Sequence, residues 1–213
     1  MIGHVVYDYL RQDDEYDLYG LAGSRKLDDK TKILDVKDSI YFEKYIKFLN
    51  PNIVINCIGL LIEDSKNNIK DSIYLNAFFP HYLKKLAKEI DFKLIHISTD
   101  CVFSGDTKFS YKENDYKDGR SVYAKTKSLG EIIDNINLTF RTSVVGPELK
   151  SSGGELFNWF MSQKEEIFGY TNAYWSGITS IELAKAVKWA IDNSITGLYN
   201  LTNCEKINKY DLL

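Results

Sequence analysis

The sequence predicts an α/β protein built on a doubly wound parallel sheet, on two observations. Short apolar runs alternate with stretches of helical periodicity along nearly the whole chain, and those runs carry few polar breaks, as strands buried on both faces do. With 213 residues, 44% hydrophobic and 27% charged, the chain is long enough to bury one sizeable core.

The opening MIGHVVYDYL reads as a helix with no strand before it. Strands are expected at Asp17 to Gly23, Lys32 to Val36, Asn52 to Gly59, Lys93 to Ser98 and Leu138 to Ser143. Between them, Asp38 is a helix N-cap, and Ile40, Tyr45, Ile46 and Leu49 form the apolar side of a helix ending at Leu49. A second helix is expected from Ser72 to Glu89, kinked or broken at Pro80, and a third from Tyr123 to Asn135. Beyond Gly146-Pro147 the texture changes. SSGGELFNWFMSQK reads as loop then helix, with Trp159 and Phe160 as core; an irregular aromatic stretch follows, then a regular amphipathic helix from Ser180 to Asp192. The division expected is 1–145 for the sheet and 146–213 for a small lobe interleaved with it, with another helix beginning at INKYDLL. A doubly wound sheet with no strand ahead of its first helix has an empty central slot. Unpaired backbone groups in the interior would make such a chain poorly stable.

Composition excludes several classes. A net charge of -3 without a long basic run gives no footprint for a nucleic acid. Cys57, Cys101 and Cys204 form no CxxC pair and read as reduced thiols. His4, His81 and His96 form no ligand cluster, so no metal is expected, and His96, inside an apolar strand, reads as a core histidine. No apolar run approaches a membrane span and the start lacks signal-peptide character, which makes the cytoplasm the default.

In SVYAKTKSLGE, Tyr123 and Lys127 lie four residues apart, so a phenol and an ammonium share one helical face. Alone, that spacing is equally a surface tyrosine beside a solvated lysine. Upstream, KLIHIS runs into Ser98-Thr99-Asp100, which puts small hydroxyls at the carboxyl end of a parallel strand, where open α/β sheets bind ligands. NCIG ends the preceding strand, and together these residues make a chemically coherent set.

HISTDCVFSG, the YKEND segment, SVYAKTKSLGE and LTFRTSVVGPEL resemble the extended short-chain dehydrogenase/reductase family, and within it the dTDP-4-dehydrorhamnose reductase group of nucleotide-sugar reductases. The resemblance implies a Rossmann-like fold and NADPH-dependent reduction of the 4-keto group of a nucleotide-linked 4-keto-6-deoxy sugar, serving surface polysaccharide synthesis. It makes Tyr123 the proton donor, its pKa lowered by Lys127, which also holds the nicotinamide ribose. Thr99 would donate to the substrate oxygen, with Ser98 the lesser candidate one residue out of register. Asp100 is as readily a turn residue.

On the cofactor side, Gly3 would be the last glycine of a GxxGxxG turn whose first two glycines and strand are missing, so weak NADPH binding is expected and an internal methionine is read as the start. Arg25 stands where a basic residue meets the adenosine 2'-phosphate, favouring NADPH over NADH; a solvated arginine is the alternative. Asp35 would bind the adenine amino group, and Cys57, Ile58 and Gly59 would line the cofactor. Trp175, in NAYWSGIT, would stack in the nucleotide-sugar pocket or seal the lobe. A homodimer is allowed. The other readings are a nucleotide-sugar epimerase of the same superfamily and a non-catalytic NADP-binding regulatory subunit; Cys101 and Val102 after STD argue against a dehydratase.

Overall fold

The computed structural model describes residues 2–107, 109–149 and 155–213. The chain opens with helix α1 (Ile2–Leu10), which buries Val6, Tyr7 and Leu10. Strands β1 (Gly20–Ala22) and β2 (Thr31–Ile33) follow and pair in parallel. Helix α2 (Ser39–Leu49) starts where the Asp38 carboxylate accepts the Tyr41 N–H, and stops at Asn50 in a left-handed conformation, φ 44°.

Strand β3 (Ile53–Asn56) leads into α3 (Ile62–Asn67), α4 (Ile69–Ser72), a π-helical segment Ile73–Phe78 and α5 (Phe79–Ile90). The expected kinked helix therefore begins earlier, and its irregularity lies ahead of the proline. Pro80 sits in the first turn of α5, directly after the π-helical segment. Strand β4 (Lys93–Thr99) runs into a 3₁₀ turn, Asp100–Val102.

Helix α6 (Val122–Leu129) is shorter than expected. It stops at Gly130, a poor helix former, and the residues beyond it turn inward: Glu131 and Ile132 are buried.

Strands β5 (Leu138–Thr142) and β6 (Val144–Val145) precede α7 (Leu156–Met161). The loop expected at residues 151–154 lies outside the described residues. Trp159 and Phe160 are not core: α7 buries no side chain, and Trp159 is 40% exposed. Then come β7 (Tyr174–Trp175), β8 (Ile178–Thr179), α8 (Ser180–Asp192), β9 (Gly197–Asn200), β10 (Ile207–Asn208) and α9 (Lys209–Leu212).

Four parallel strands form the main sheet in the order β3-β4-β5-β9. Strand β9 was absent from the sequence reading, and through it and α8 the 146–213 stretch is interleaved with the sheet. Two small pairings, β6 with β8 and β7 with β10, complete that end. Among the described residues no strand pairs β1 with β3, so the sheet is divided at the expected central slot.

Helices hold the two parts together. On one face, Val6 and Leu10 of α1 and Leu183, Ala184 and Val187 of α8 pack on Ile95, Ile97, Leu138 and Phe140. Tyr7 of the same α1 reaches the other part, its hydroxyl donating to the Asp28 carboxylate. On the opposite face, Leu34 and Val36 beyond β2 and Phe42 and Ile46 of α2 meet Phe79, Leu83 and Leu86 of α5 and Leu94. No helix among the described residues is long and apolar enough to cross a membrane. The same residues hold no cluster of three metal-ligating side chains.

Candidate active site

The carboxyl end of β4 is the focus. Ser98 and Thr99 point to opposite faces because adjacent strand residues alternate. The Thr99 hydroxyl accepts the Cys101 N–H at 3.1 Å and lies 3.3 Å from the Asp100 carboxylate, which fixes the turn leaving the strand. Ser98 is buried, and its hydroxyl donates to Glu131 at 3.1 Å.

Helix α6 is delivered to this point by two local devices. Ser121 caps it by accepting the Ala124 N–H at 3.0 Å. Gly119 lets the approach be close, since a Cβ there would stand 2.7 Å from that of Ala124 and 2.5 Å from the Cys101 carbonyl oxygen.

Tyr123, in the first turn of α6, thereby meets Thr99. Burial raises the phenol's pKa, and the charges at Cys101, Asp100 and Glu155 add to this against the Thr99 hydroxyl, which favours the ionised form. Lys127 is buried one turn on and donates to the Ile97 carbonyl at 2.7 Å. Burial lowers its ammonium to about 8, opposed by Glu131 and Cys57. The phenol is thus held protonated, the state an acid needs. The lowering by Lys127 expected from the sequence does not figure among the influences that set the phenol.

Gly3, Cys57 and Gly59 come together on the side facing the start of α1. A Cβ on Gly3 would lie 3.5 Å from that of Cys57. Burial pushes the Cys57 thiol up to about 12, so it stays neutral beside Lys127. A Cβ on Gly59 would lie 3.0 Å from Asn76 Oδ1 and 3.8 Å from Lys127 Nζ, so a side chain here would crowd Asn76 next to the ammonium. Asn76, which the sequence reading missed, clamps the same loop: its Oδ1 accepts the Leu60 N–H at 2.8 Å and its Nδ2 donates to the Leu60 carbonyl at 3.1 Å. A fully buried asparagine in the apolar run YLNAFF was the signal. Ile58 is fixed by Asn56, whose Oδ1 accepts its N–H at 3.1 Å.

The remaining candidates lie further out. Arg25, exposed after β1, reaches the Leu149 carbonyl at 3.4 Å, and its charge acts on His4 of α1. Asp35, exposed after β2, accepts the Lys37 N–H at 2.9 Å. Half-buried Trp175 donates its indole N–H to the Ser143 hydroxyl at 2.8 Å, and the Gly177 backbone packs on its ring. His96 is fully buried; Nδ1 meets Asn56 at 3.1 Å and Nε2 has no partner.

A parallel sheet with helices on both faces, and a hydroxyl, a phenol and an ammonium gathered at its carboxyl end, define a Rossmann-like α/β protein of the short-chain dehydrogenase/reductase type. More narrowly, the chain belongs to the RmlD substrate binding domain family, whose profile matches residues 3–212.

Among similar proteins, the spore coat polysaccharide biosynthesis protein SpsK of Bacillus subtilis (strain 168) is 26% identical over 81% of this chain and 62% of its own length. The dTDP-4-dehydrorhamnose reductase of Aggregatibacter actinomycetemcomitans is 24% identical over 84% of this chain and 64% of its own. The chain thus spans less than two thirds of the length of these curated relatives. Two solved structures share the fold. A hypothetical dTDP-4-dehydrorhamnose reductase from Sulfolobus tokodaii superposes with TM-score 0.84, at 24% identity over 99% of this chain and 76% of the other. The Bacillus anthracis str. Ames dTDP-4-dehydrorhamnose reductase in complex with NADP gives 0.82, at 21% identity over 99% and 74%.

Proposed function

We propose that this chain works as an NADPH-dependent reductase of the 4-keto group of a nucleotide-linked 4-keto-6-deoxy sugar. The convergence of Thr99, Tyr123 and Lys127 at the end of β4 carries this reading. The residues fit the nicotinamide end of the cofactor: Gly59 leaves a cradle that a Cβ would fill, directly before Lys127 Nζ. Lys127 and Tyr123 would hold the nicotinamide ribose there, Cys57 and Ile58 would line the site, and Gly3 would face the pyrophosphate at the start of α1. Arg25 and Asp35 would take the adenosine end. When bound, NADPH supplies the hydride.

The chain's own residues manage charge and proton. Thr99 donates to the carbonyl oxygen of the sugar and stabilises the negative charge that develops on it. Tyr123, kept protonated by burial, transfers its phenolic proton to that oxygen. Lys127, one turn further along α6, would offset the charge of the new phenolate. Trp175, with its indole N–H tied to Ser143, offers a ring face to the nucleotide or sugar.

The name of the SpsK relative supports a role in polysaccharide assembly, and the unpaired cysteines support the cytoplasm. Exposed Leu129, Ile133 and Ile136 would give a homodimer its contact. The test is NADPH oxidation in the presence of dTDP-4-dehydrorhamnose, with Tyr123→Phe as control. Nucleotide binding without turnover would favour the regulatory-subunit reading, and inversion of the sugar without net oxidation the epimerase.

A further inference from the structure

The acid, the ammonium and the hydroxyl account for one side of the β4 end. Beneath it lies a buried ionic network that the proposed reaction leaves unused. Glu131 follows the glycine that closes α6. Its carboxylate accepts from Arg141 Nε at 2.6 Å and Nη2 at 2.9 Å, from Lys117 Nζ at 2.9 Å and from the Ser98 hydroxyl at 3.1 Å. Arg141, in the middle of β5, gives its third nitrogen to the Glu113 carbonyl at 2.9 Å and lies 5.1 Å from the centre of the Phe103 ring. Lys117 also donates to the Ser128 carbonyl at 3.1 Å, on the last turn of α6. One carboxylate thus links β4, β5, the end of α6 and the loop between β4 and α6.

Stability alone does not explain it. A buried ion pair recovers little more than its own desolvation cost, and an apolar pair of the same volume often serves as well. The position of Glu131 suggests what the pair does. Lys127 is tied to the Ile97 carbonyl and Glu131 to the hydroxyl of Ser98, the next residue of β4, so the two charged groups dock on consecutive residues of one strand. The groups facing Lys127 from the other packed elements are neutral: the Cys57 thiol beyond β3, held protonated by burial, and the His96 imidazole of β4, held unprotonated. Asn76 and Tyr123 are uncharged as well. Glu131 is thus the first of the two groups that counter the desolvation of Lys127, ahead of Cys57, whose thiol burial holds protonated.

We propose that Glu131, set by Arg141 and Lys117, is a positioning residue that keeps the Lys127 ammonium charged and, through Ser98, fixes the strand end that presents Thr99. The proposal rests on the reductase reading, which gives Lys127 its task.

Two variants test it with opposite signs. Glu131→Gln removes the anion and leaves Arg141 uncompensated, so Lys127 loses its proton more readily. Lys117→Met removes one of the cations that screen Glu131, at a side chain 28% exposed, so Lys127 holds its proton more tightly. The direct readout is the NMR titration of lysine labelled with ¹³C at Cε, with the Lys127 signal assigned by its loss in Lys127→Arg. The second is the alkaline limb of turnover with NADPH and dTDP-4-dehydrorhamnose.

Glu131→Gln should move both midpoints down by about one pH unit, and Lys117→Met should move both up by a smaller amount. Glu131→Asp should recover part of the shift. A Lys127 midpoint that stays put in both variants, or moves the same way in both, overturns the proposal. If the unaltered chain does not turn over, the reductase reading fails and the lysine titration still decides. If Glu131→Gln does not fold, the upward shift in Lys117→Met is the deciding result.

Discussion

Gly130 lies so close to the main chain of Asn76 that a single added methyl group would overlap the Asn76 carbonyl. The end of α6 and the π-helical segment thus touch backbone to backbone. This contact sets how far α6, with Tyr123 and Lys127, stands from the loop that Asn76 clamps at Leu60.

The contact predicts a cost for Gly130→Ala. The neighbour is backbone and cannot rotate away, so the overlap should destabilise the fold by about 1–3 kcal/mol and lower turnover as α6 is pushed outward. Thermal unfolding and NADPH oxidation measure the two effects. An unchanged Tm would show that the helices separate freely.

Tyr123→Phe keeps the ring and removes the hydroxyl that carries the proton. Turnover should fall by about 10²–10⁴-fold while affinity for the nucleotide sugar stays near that of the parent. Activity measured beside calorimetric binding separates the two. Retention of most of the turnover would remove Tyr123 from the role of acid.

The proposed preference for NADPH over NADH rests on Arg25. Arg25→Ala should erase the preference by deleting a charge-assisted contact to the 2'-phosphate, with little effect on NADH. Titration of both cofactors into both proteins checks it; equal affinities in the parent would already refute the assignment.

Burial, with Lys127 and His81 adding to it, holds His96 well below its ordinary 6.5. The unfolded chain takes up a proton near 6.5 and the folded one only at lower pH. Between those values the unfolded state binds more protons, so stability should fall on acidification by up to about 1.4 kcal/mol per pH unit. His96→Gln should remove that component. Urea unfolding of both proteins between about pH 7 and 5 gives the difference, and parallel curves would show that His96 titrates normally in the fold.

Much of this architecture was legible because it is local. Asp38 capping α2, the apolar run of β4 and the regular pattern from Ser180 to Asp192 each declare themselves within a few residues. The Tyr123–Lys127 spacing is local as well. What was not legible depends on distant partners. Strand β9 is short and carries a polar end, and only its pairing with β5 makes it a strand. The early stop of α6 is set by the fit of Gly130 on Asn76, 54 positions earlier in the chain. Ser98 looked like a ligand hydroxyl because its partner Glu131 lies on a later segment. Arg141, a charge inside LTFRTS, was the visible hint of that network.

The division of the sheet has a consequence for how the molecule opens. The amides of β4 and β5 are locked into a continuous ladder, whereas among the described residues β1 and β2 pair with each other alone and are joined to the rest through side chains of α1, α2 and α5. Among the described residues the two parts are joined by packing and not by a backbone ladder. In hydrogen exchange of residues 1–213 taken by themselves, the 20–33 segment should therefore behave as its own foldon, exchanging by a partial opening of lower free energy while β4 and β5 wait for global unfolding. A ligand bridging both parts would raise its protection toward that of the main sheet, and exchange at Leu21 and Lys32 would report the bridging directly.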